Sequence, residues 1–169
     1  GVALQDAAID PLMTANELIR LQAVLHGISR TEAKKRGGEL LERVGLSGAA
    51  SRRVSTYSGG MRRRLDLALS LIHEPRILFL DEPFGGIDAA TEQAIFSLMD
   101  DLAGKGHTLL VVNHDLSVMD RYNQLLLLNQ RVVAYGPPKL VATEENLRKT
   151  YGGRLSLLDK ADSVLKDHL

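Results

Sequence analysis

A short apolar segment that ends in two acidic residues constrains the fold of this chain more than any other feature. The run from Ile77 to Leu80 comes after Pro75 and leads directly into Asp81 and Glu82. Four apolar residues are too few for a buried helix, and a continuous apolar run is typical of a parallel sheet covered on both faces. The sequence therefore predicts a buried β-strand whose carboxyl end carries two carboxylates.

The place of these carboxylates predicts a ligand site. In open α/β sheets, ligands bind outside the carboxyl ends of the strands. A carboxylate pair at that edge suits nucleotide chemistry, in which Asp81 holds Mg²⁺ and Glu82 handles the attacking water. The alternative interpretation is an ordinary strand end with two acids, and the pair alone does not decide between the two.

A serine and two glycines open the segment that precedes this strand. Ser58 is a favourable helix N-cap, and Gly59 and Gly60 let backbone amides approach a ligand closely. The arginines at 62–64 are expected on exposed faces of the helix. Apolar residues recur at helical spacing: Leu65, Ala68, Leu69 and Ile72. The amino end of such a helix suits a phosphate, although Ser-Gly-Gly by itself is also a common helix start.

The segment 57–61 and the strand 77–82, taken together, resemble the signature motif and the Walker B motif of the ATP-binding cassette (ABC) ATPase family. Tyr57 and Met61 replace the leucine and glutamine that are usual in the family, whereas the Ser-Gly-Gly that faces the phosphate is kept. The resemblance implies an α/β fold of the P-loop NTPase (RecA-like) type. Such a fold has a mostly parallel sheet with helices on both faces and an α-helical subdomain; the Walker A strand is missing here.

Three further motifs follow the order of the family. Gln5 resembles the Q-loop glutamine, which contacts Mg²⁺ or the attacking water. Asp88 resembles the D-loop aspartate at the dimer interface, although a helix N-cap explains it equally well. His114, after the apolar strand 107–112, resembles the switch histidine that contacts the γ-phosphate. An exposed strand-end glutamine and a solvated loop histidine are the alternative interpretations.

The resemblance assigns roles and boundaries along the chain. It implies that Glu82 and His114 are catalytic and that Gln5 and Asp81 bind the metal. Contacts to the nucleotide are implied for Gln5, Ser58, Gly59, Gly60, Asp81 and Asp88. The implied divisions are a Q-loop strand at 1–8, the helical subdomain at 9–57, half of the catalytic core at 58–158 and a C-terminal tail at 159–169.

Two capping boxes, at 14–17 and 29–32, predict the two helices of the helical subdomain. The first helix is expected to bury one apolar stripe: Leu18, Leu21, Leu25 and Val24. The second is predicted to reach Val44 and to end at Gly45. Glycines at 37–38 cost this helix about 1 kcal/mol each relative to alanine. Tertiary contacts must therefore hold it, or it bends there.

Downstream of Asp88, the sequence predicts one more long helix and a strand pair. The apolar face expected for that helix is Ala90, Ala94, Ile95, Leu98, Met99 and Leu102. Apolar runs at 124–128 and 131–135, separated by Asn129 and Gln130, predict two strands joined by a turn. Short helices are expected over 139–151.

Composition excludes several classes of protein. The 169 residues carry 21 basic and 21 acidic side chains, a balance that argues against a dedicated nucleic-acid-binding protein. Residues 1–70 are net basic, with 11 against 7, and the remainder is net acidic, with 10 against 14. The absence of cysteine excludes disulfides and thiolate metal sites. No apolar run approaches the roughly 20 residues of a membrane-spanning helix.

No stretch fits the P-loop pattern G-x-x-x-x-G-K-[ST]. The abrupt start predicts a fragment in which the P-loop, its strand and the adenine-stacking aromatic residue lie upstream of Gly1. ATP and Mg²⁺ are the cofactors that the family implies, and we expect the chain alone to bind ATP weakly and to be inactive as an ATPase. The missing strand would leave an apolar edge beside the strand before His114, which a domain-swapped or edge-paired dimer would cover.

For the full-length protein, the resemblance implies a nucleotide-binding domain that hydrolyses ATP to drive drug export or metal-ion import. The implied partners are transmembrane permease subunits, contacted through the helical subdomain, and a second nucleotide-binding domain. The implied location is cytoplasmic, at the inner face of the cell membrane. Two alternatives remain: a non-catalytic remnant or chimeric fragment that binds or dimerises, and a non-transport ABC ATPase that acts on DNA or ribosomes.

The two halves of the chain resemble different branches of the family. Residues 10–14, the arginine-rich helix and residues 25–27 look like drug-exporter ATPases of the daunorubicin-resistance type. Residues 84–88, 113–115 and 143–154 look like manganese and zinc importers. A join within residues 80–83 is one hypothesis for this pattern, and motif drift within one lineage is the other.

Overall fold

The computed structural model describes residues 1–3 and 9–152. Within that part of the chain there are two compact units, and the boundary between them follows His114. The first unit combines a parallel sheet with the longer helices, and the second contains a strand pair and two short helices. None of the described helices has both the length and the apolar character needed to cross a membrane.

In the first unit the strands are β1 (Val2–Ala3), β2 (Ile77–Asp81) and β3 (Thr108–Val112). The helices are α1 (Ala15–Leu25), α2 (Arg30–Arg43), α3 (Gly59–Leu71) and α4 (Ala89–Gly104). Two short 3₁₀ helices, Ser47–Ala49 and Val54–Thr56, connect α2 to α3. The strand predicted before Glu82 and the strand predicted before His114 are therefore both confirmed.

The sheet has the order β1-β2-β3, and both strand pairings are parallel, as an α/β fold requires. β2 was predicted to be covered on both faces, and the described residues differ from this. Leu78 and Leu80 are each 1% exposed, whereas Ile77 and Phe79 are 49% and 46% exposed. Because successive side chains of a strand point to opposite faces, this alternation shows that the described helices cover one face of the sheet.

The two predicted helices of the 9–57 region form and begin at the predicted N-caps, Thr14 and Ser29, but only the first of the two predicted capping boxes is complete. Thr14 and Glu17 complete a capping box at α1. At α2 the Ser29 hydroxyl accepts a hydrogen bond from the Glu32 backbone N–H at 3.3 Å, while the Glu32 carboxylate pairs with Arg36 at 2.6 Å. The C-terminal stop is also confirmed, since α2 ends before Gly45, whose φ is +65°.

A close contact with α1 explains one of the two glycines within α2. A Cβ atom added to Gly37 would lie 2.4 Å from Ile19 Cγ2, whereas one added to Gly38 would meet nothing within 4 Å. Gly37 therefore lets α1 and α2 approach each other closely. This is the kind of tertiary contact that was expected to hold α2 together despite its two glycines. Gly38 has no comparable packing role.

The predicted apolar stripe of α1 is wrong in three of its four positions. Leu18 is buried, but Leu21, Val24 and Leu25 are 46%, 65% and 70% exposed. The residues that α1 buries are Ala15, Leu18, Ile19 and Ala23. The buried face therefore combines two alanines with Leu18 and Ile19, and the other large apolar side chains lie on the outer face.

α4 begins at the predicted N-cap, Asp88, but its buried face is rotated from the expected one. Ala90 and Ala94 are exposed, and Thr91 and Phe96 are buried instead. The other four predicted positions are buried as expected: Ile95, Leu98, Met99 and Leu102. The rotation brings Thr91 against Gly60 at the start of α3.

The second unit contains β4 (Leu125–Asn129), β5 (Arg131–Gly136), α5 (Pro138–Val141) and α6 (Glu144–Tyr151), preceded by a 3₁₀ helix at Leu116–Arg121. β4 and β5 form the predicted antiparallel pair. The turn between them uses Gln130 in the left-handed region, with φ of +57°. The Asn129 side chain donates a hydrogen bond to the Lys149 carbonyl at 2.8 Å, and so ties α6 to the hairpin.

Candidate functional site

The carboxyl ends of β2 and β3 meet at one edge of the sheet. Asp81 is paired in register with Val112, and the Glu82 N–H donates to the Val112 carbonyl at 2.9 Å. Just beyond both strands, His114 Nδ1 lies 2.7 Å from Glu82 Oε1. The parallel register thus brings together two side chains that are 32 positions apart in sequence.

The environments of the two side chains differ sharply. The Glu82 side chain is 16% exposed, whereas that of His114 is 81% exposed. With an ionised Glu82, the Nδ1–H of His114 is the donor in this hydrogen bond, which fixes the orientation of the ring. The arrangement offers a shielded carboxylate that can accept a proton and an accessible imidazole that can face a ligand.

Backbone conformation contributes to the placement of the Glu82 carboxylate. The φ of Glu82 is +47°, in the left-handed region that residues other than glycine seldom adopt. The turn continues as the Gly85 N–H donates to the Glu82 carbonyl at 3.1 Å, with Pro83 fully buried between them. Residues in such conformations persist only where their surroundings hold them, and they are concentrated at functional sites.

Asp81 is the last residue of β2 and is partly buried. No other described side chain forms a hydrogen bond or an ion pair with its carboxylate. Its backbone carbonyl, in contrast, accepts a hydrogen bond from Arg63 Nη2. The side chain is therefore available to a ligand while the backbone behind it is held.

The prediction that the arginines at 62–64 all lie on exposed faces holds only for Arg62, because Arg64 is half-buried and Arg63 is buried. Arg62 is exposed, but only 8% of the Arg63 side chain is accessible. Its guanidinium also donates to the Pro83 carbonyl at 3.3 Å. At helical spacing Arg63 shares a face with Gly60 and Leu67, both of which are buried in the structure, but the sequence does not show what partners its charge finds there.

A second buried charged group lies beside Arg63. Asp66 Oδ2 is 3.9 Å from Arg63 Nη1, and the Asp66 side chain is 14% exposed. Burial raises the pKa of Asp66 to about 6, and the opposing charge of Arg63 lowers it less. Burial likewise lowers the pKa of Arg63. No sequence motif singles out Asp66.

At the amino end of α3, Ser58 is the N-cap, and its hydroxyl accepts from the Met61 N–H at 3.2 Å. Ser58 is exposed, as a ligand-facing residue must be. Gly59 has open space around it, whereas a Cβ on Gly60 would lie 2.8 Å from Thr91 Oγ1. Gly60 is thus required by packing against α4, and any contact to a phosphate is a further role that stays a prediction.

Two other motif residues have clear structural roles. The Tyr57 hydroxyl donates to the buried Ala49 carbonyl at 2.7 Å, so this departure from the family pattern anchors the chain ahead of α3. Asp88 accepts from the Thr91 N–H and hydroxyl at 2.8 and 2.9 Å. The first of these bonds is the main reason why the pKa of Asp88 is lowered. The N-cap interpretation of Asp88 is confirmed, and its D-loop role stays a prediction.

Gln5 lies outside the described residues, so its predicted contact with Mg²⁺ or water stays a prediction. The residues that the structure does bring together are Glu82 and His114, with Asp81 adjacent to them. Among residues 1–3 and 9–152, no three His, Asp or Glu side chains form a group that could hold a metal ion by themselves.

The chain is similar to known proteins in sequence family, in individual relatives and in fold. Residues 1–85 match the family described as ABC transporter. In fold, the chain is similar to a structure described as an inward-facing metal-chelate type ABC transporter. The TM-score is 0.78 at 23% identity, over 89% of this chain and 63% of that one. The predicted α/β fold of the P-loop NTPase type is confirmed.

The sequence is also similar to transport and drug-resistance proteins. It is 48% identical over 128 residues to the manganese transport system ATP-binding protein of Bacillus subtilis, covering 75% of this chain and 50% of the relative. Identity to the zinc transport system ATP-binding protein of Treponema pallidum is 47%, over 73% of this chain and 47% of the relative. A daunorubicin resistance ATP-binding protein of Streptomyces coeruleorubidus is 36% identical over 99% of this chain and 50% of the relative.

Two facts follow from these matches. The chain spans about half the length of the curated relatives that it matches. The relatives include both metal-transport and drug-resistance proteins, the two groups that the sequence motifs resemble. A join within residues 80–83 stays a prediction.

Proposed function

Because the chain belongs to the ABC transporter family, we propose that it forms the part of an ATP-hydrolysing domain that activates the attacking water. The observation that carries this proposal is the 2.7 Å contact between Glu82 and His114 at the ends of adjacent parallel strands. In α/β sheets, that edge is where a ligand binds. The whole domain would use ATP and Mg²⁺ to drive either metal import or drug export.

In the proposed reaction, Glu82 is the general base. Its carboxylate accepts a proton from the water that attacks the γ-phosphate, and general-base catalysis contributes about 10² to 10⁴ in rate. The hydrogen bond to Glu82 holds the His114 imidazole, so that the exposed side of the ring can orient the γ-phosphate or the water. In phosphoryl transfer the protein contributes mainly by holding the water in line with the bond that breaks and by stabilising charge, and it forms no covalent bond itself.

The donor chemistry at the site fits Mg²⁺. This ion keeps several waters and is bound by one or two carboxylates together with the phosphates of the substrate, so it needs no protein cage. Asp81 supplies a carboxylate that forms no hydrogen bond or ion pair with another described side chain, and Gln5 is the proposed second contact. When bound, Mg²⁺ neutralises the charge that develops on the transferred phosphoryl group.

The proposal also gives a role to the start of α3. Ser58 is exposed at the amino end of a 13-residue helix, where free N–H groups and the helix dipole favour an anion. We assign Ser58, Gly59 and Gly60 to the phosphate of a nucleotide bound mainly by a second nucleotide-binding domain. Asp88 would lie at the same contact between domains.

A hybrid protein tests the proposed function. This chain would replace the matching half of the Bacillus subtilis manganese transport ATP-binding protein, whose other half would supply the remaining nucleotide contacts. We expect the hybrid to hydrolyse ATP and the 169-residue chain alone to show no turnover. In the hybrid, Glu82→Gln should lower kcat by about 10²-fold or more, because it removes the general base.

The matched control is Asp100→Asn, which changes an exposed carboxylate in the C-terminal half of α4. This variant should keep kcat within about twofold, since surface changes away from the site have small effects. Equal turnover in the Glu82→Gln and wild-type hybrids would contradict the proposed role of Glu82. A folded hybrid that binds ATP without hydrolysing it would favour the alternative of a non-catalytic binding module.

We further propose that the region 9–57 contacts a membrane permease and that the protein works at the inner face of the cell membrane. The supporting observation is the outer face of α1, where Leu21, Val24 and Leu25 are 46–70% exposed. Exposed apolar patches of this kind mark interaction sites. Leu25→Ser should weaken co-purification of the hybrid with the Bacillus subtilis manganese permease at least threefold, and Arg20→Ser, a neighbouring exposed change, should not.

A further inference from the structure

We propose that Arg63 is a positioning residue, whose guanidinium holds the backbone on both sides of Glu82 and thereby aims the Glu82 carboxylate at His114. This inference rests on the proposed function for its catalytic consequence only. The geometric part, that Arg63 holds the backbone around Glu82, does not depend on whether the protein hydrolyses ATP. It extends the site from the strand edge to the interior of α3.

The burial of Arg63 needs an explanation of its own. Among residues 1–3 and 9–152 it is the most deeply buried charged residue, at 8% exposed, and Asp66 beside it is 14% exposed. Removing a guanidinium from water is costly unless its donors are satisfied. An arginine retained in the interior must therefore make contacts that a smaller apolar residue could not make.

Two contacts of Arg63 fall on opposite sides of Glu82. Nη2 donates to the Asp81 carbonyl, and Nε donates to the Pro83 carbonyl at 3.3 Å. On the other edge, Nη1 lies 3.9 Å from Asp66 Oδ2, which favours the charged form of the arginine. A planar guanidinium can bridge two carbonyls in a fixed geometry, and a lysine ammonium is a single point charge that cannot.

The backbone between those two carbonyls is in an unfavourable conformation. Glu82 has a φ of +47°, although it is not a glycine. Left-handed conformations of this kind are stable only where neighbouring groups impose them. Arg63 fixes the flanking carbonyls, and the bond from the Glu82 N–H to Val112 fixes the amide at 2.9 Å.

The consequence for the site is the direction of one side chain. Held in this turn, Glu82 reaches His114 Nδ1 at 2.7 Å. If Arg63 were replaced by a residue that cannot bridge the two carbonyls, the turn would relax towards an ordinary strand end. The carboxylate would then lose its place beside His114, while β2 itself would remain paired with β3.

The geometric part is tested by NMR on the 169-residue chain. Arg63→Gln should speed amide exchange at Glu82 at least tenfold relative to Phe79, whose N–H bonds the Gly1 carbonyl within the same sheet. The ¹⁵N signal of His114 Nδ1 should shift towards that of an imidazole without the carboxylate bond. Arg62→Gln, an exposed neighbouring arginine, should change neither signal.

Arg63→Lys keeps the charge and most of the volume, and it decides the question if Arg63→Gln does not fold. We expect this variant to fold and to show faster amide exchange at Glu82 and a shifted His114 Nδ1 signal, both to a smaller extent than Arg63→Gln. A folded Arg63→Lys or Arg63→Gln variant with wild-type Glu82 exchange and a wild-type His114 signal would overturn the proposal. A role in packing alone would lower stability without moving these two signals.

The catalytic part is tested in the hybrid described above. Arg63→Gln should lower kcat at least tenfold and leave KM for ATP within threefold, whereas Arg62→Gln should leave both within twofold. A fall in kcat of less than twofold in a folded Arg63→Gln hybrid would overturn the positioning role. An inactive wild-type hybrid would refute the proposed function, and the NMR result would still decide whether Arg63 holds Glu82.

Discussion

The carboxyl end of β2 and the outer face of α1 use their side chains in opposite ways. At the end of β2, a charged arginine is buried so that a single glutamate can be held in an unfavourable backbone conformation. On α1, three large apolar residues remain 46–70% exposed, although the same helix buries two alanines completely. Each region departs from the usual distribution of polar and apolar residues, in opposite directions.

The difference indicates where each region finds its partners. The end of β2 is held by contacts within the chain: Arg63 from α3 and Val112 from β3. The outer face of α1 has no comparable cover among the described residues. We therefore interpret the first region as a preorganised reaction site and the second as a surface for another molecule. Substitutions at paired buried and exposed positions test this interpretation.

The largest effect is expected from two apolar truncations within α1. Ile19 is 4% exposed and Leu25 is 70% exposed. Ile19→Ala should lower the free energy of unfolding by about 2–5 kcal/mol, because it removes buried surface and leaves a cavity. Leu25→Ala should change it by about 0.5 kcal/mol or less. Urea unfolding of both variants measures the difference, and equal losses would show that the outer face of α1 is part of the core.

The second effect is a dependence of stability on pH that originates at Asp66. Burial raises the pKa of this carboxyl to about 6 in the folded chain, from 3.8 when it is exposed. The folded state therefore holds the proton more tightly, and the stabilisation is present below pH 4 and is lost as the pH rises through 6. A difference of about two pKa units corresponds to about 3 kcal/mol.

The variant Asp66→Asn removes this titration and nearly preserves the shape of the side chain. Between pH 4 and 7, the free energy of unfolding of the wild type should fall relative to that of the variant, by up to about 3 kcal/mol. Exposed carboxylates titrate alike in both proteins, so their contributions cancel. Parallel curves for the two proteins would mean that Asp66 is not buried as described.

The third and smallest effect separates the two glycines of α2. Gly37→Ala places a methyl group 2.4 Å from Ile19 Cγ2, and the overpacking should cost about 1–3 kcal/mol. Gly38→Ala meets nothing within 4 Å and should stabilise the helix by about 0.5–1 kcal/mol. Thermal unfolding should therefore shift in opposite directions for the two variants. A rise in Tm for both would show that α1 and α2 are not in close contact.

The sequence predicted the elements of the site well, because their signals are local. Two strands are each specified by a short apolar run, one before Asp81 and one before His114. A helix start is specified by a serine before two glycines. The parallel pairing of β2 with β3 follows once both strands are placed, since a helix connects them. That is why the approach of His114 to Glu82 could be anticipated from the chain.

The errors arose where tertiary packing decides which side of a helix is buried. Periodicity gives the width of an apolar face but not its exact direction: α1 buries Ala15 and Ala23 rather than Leu21 and Leu25, and α2 comes close to α1 at Ile19. Arg63 was missed for a related reason. A charged residue is expected at the surface unless its partners are known, and those partners are backbone carbonyls that no residue type reveals.

A double-mutant cycle in the hybrid tests the central claim, that Glu82 and His114 act as one unit on the γ-phosphate. The measured quantity is kcat for ATP in Glu82→Gln, His114→Ala and the double variant. Residues that act together are strongly non-additive, so the double variant should lose about as much as the more damaging single change. Losses that multiply across the two substitutions, or wild-type turnover in either single variant, would contradict the account.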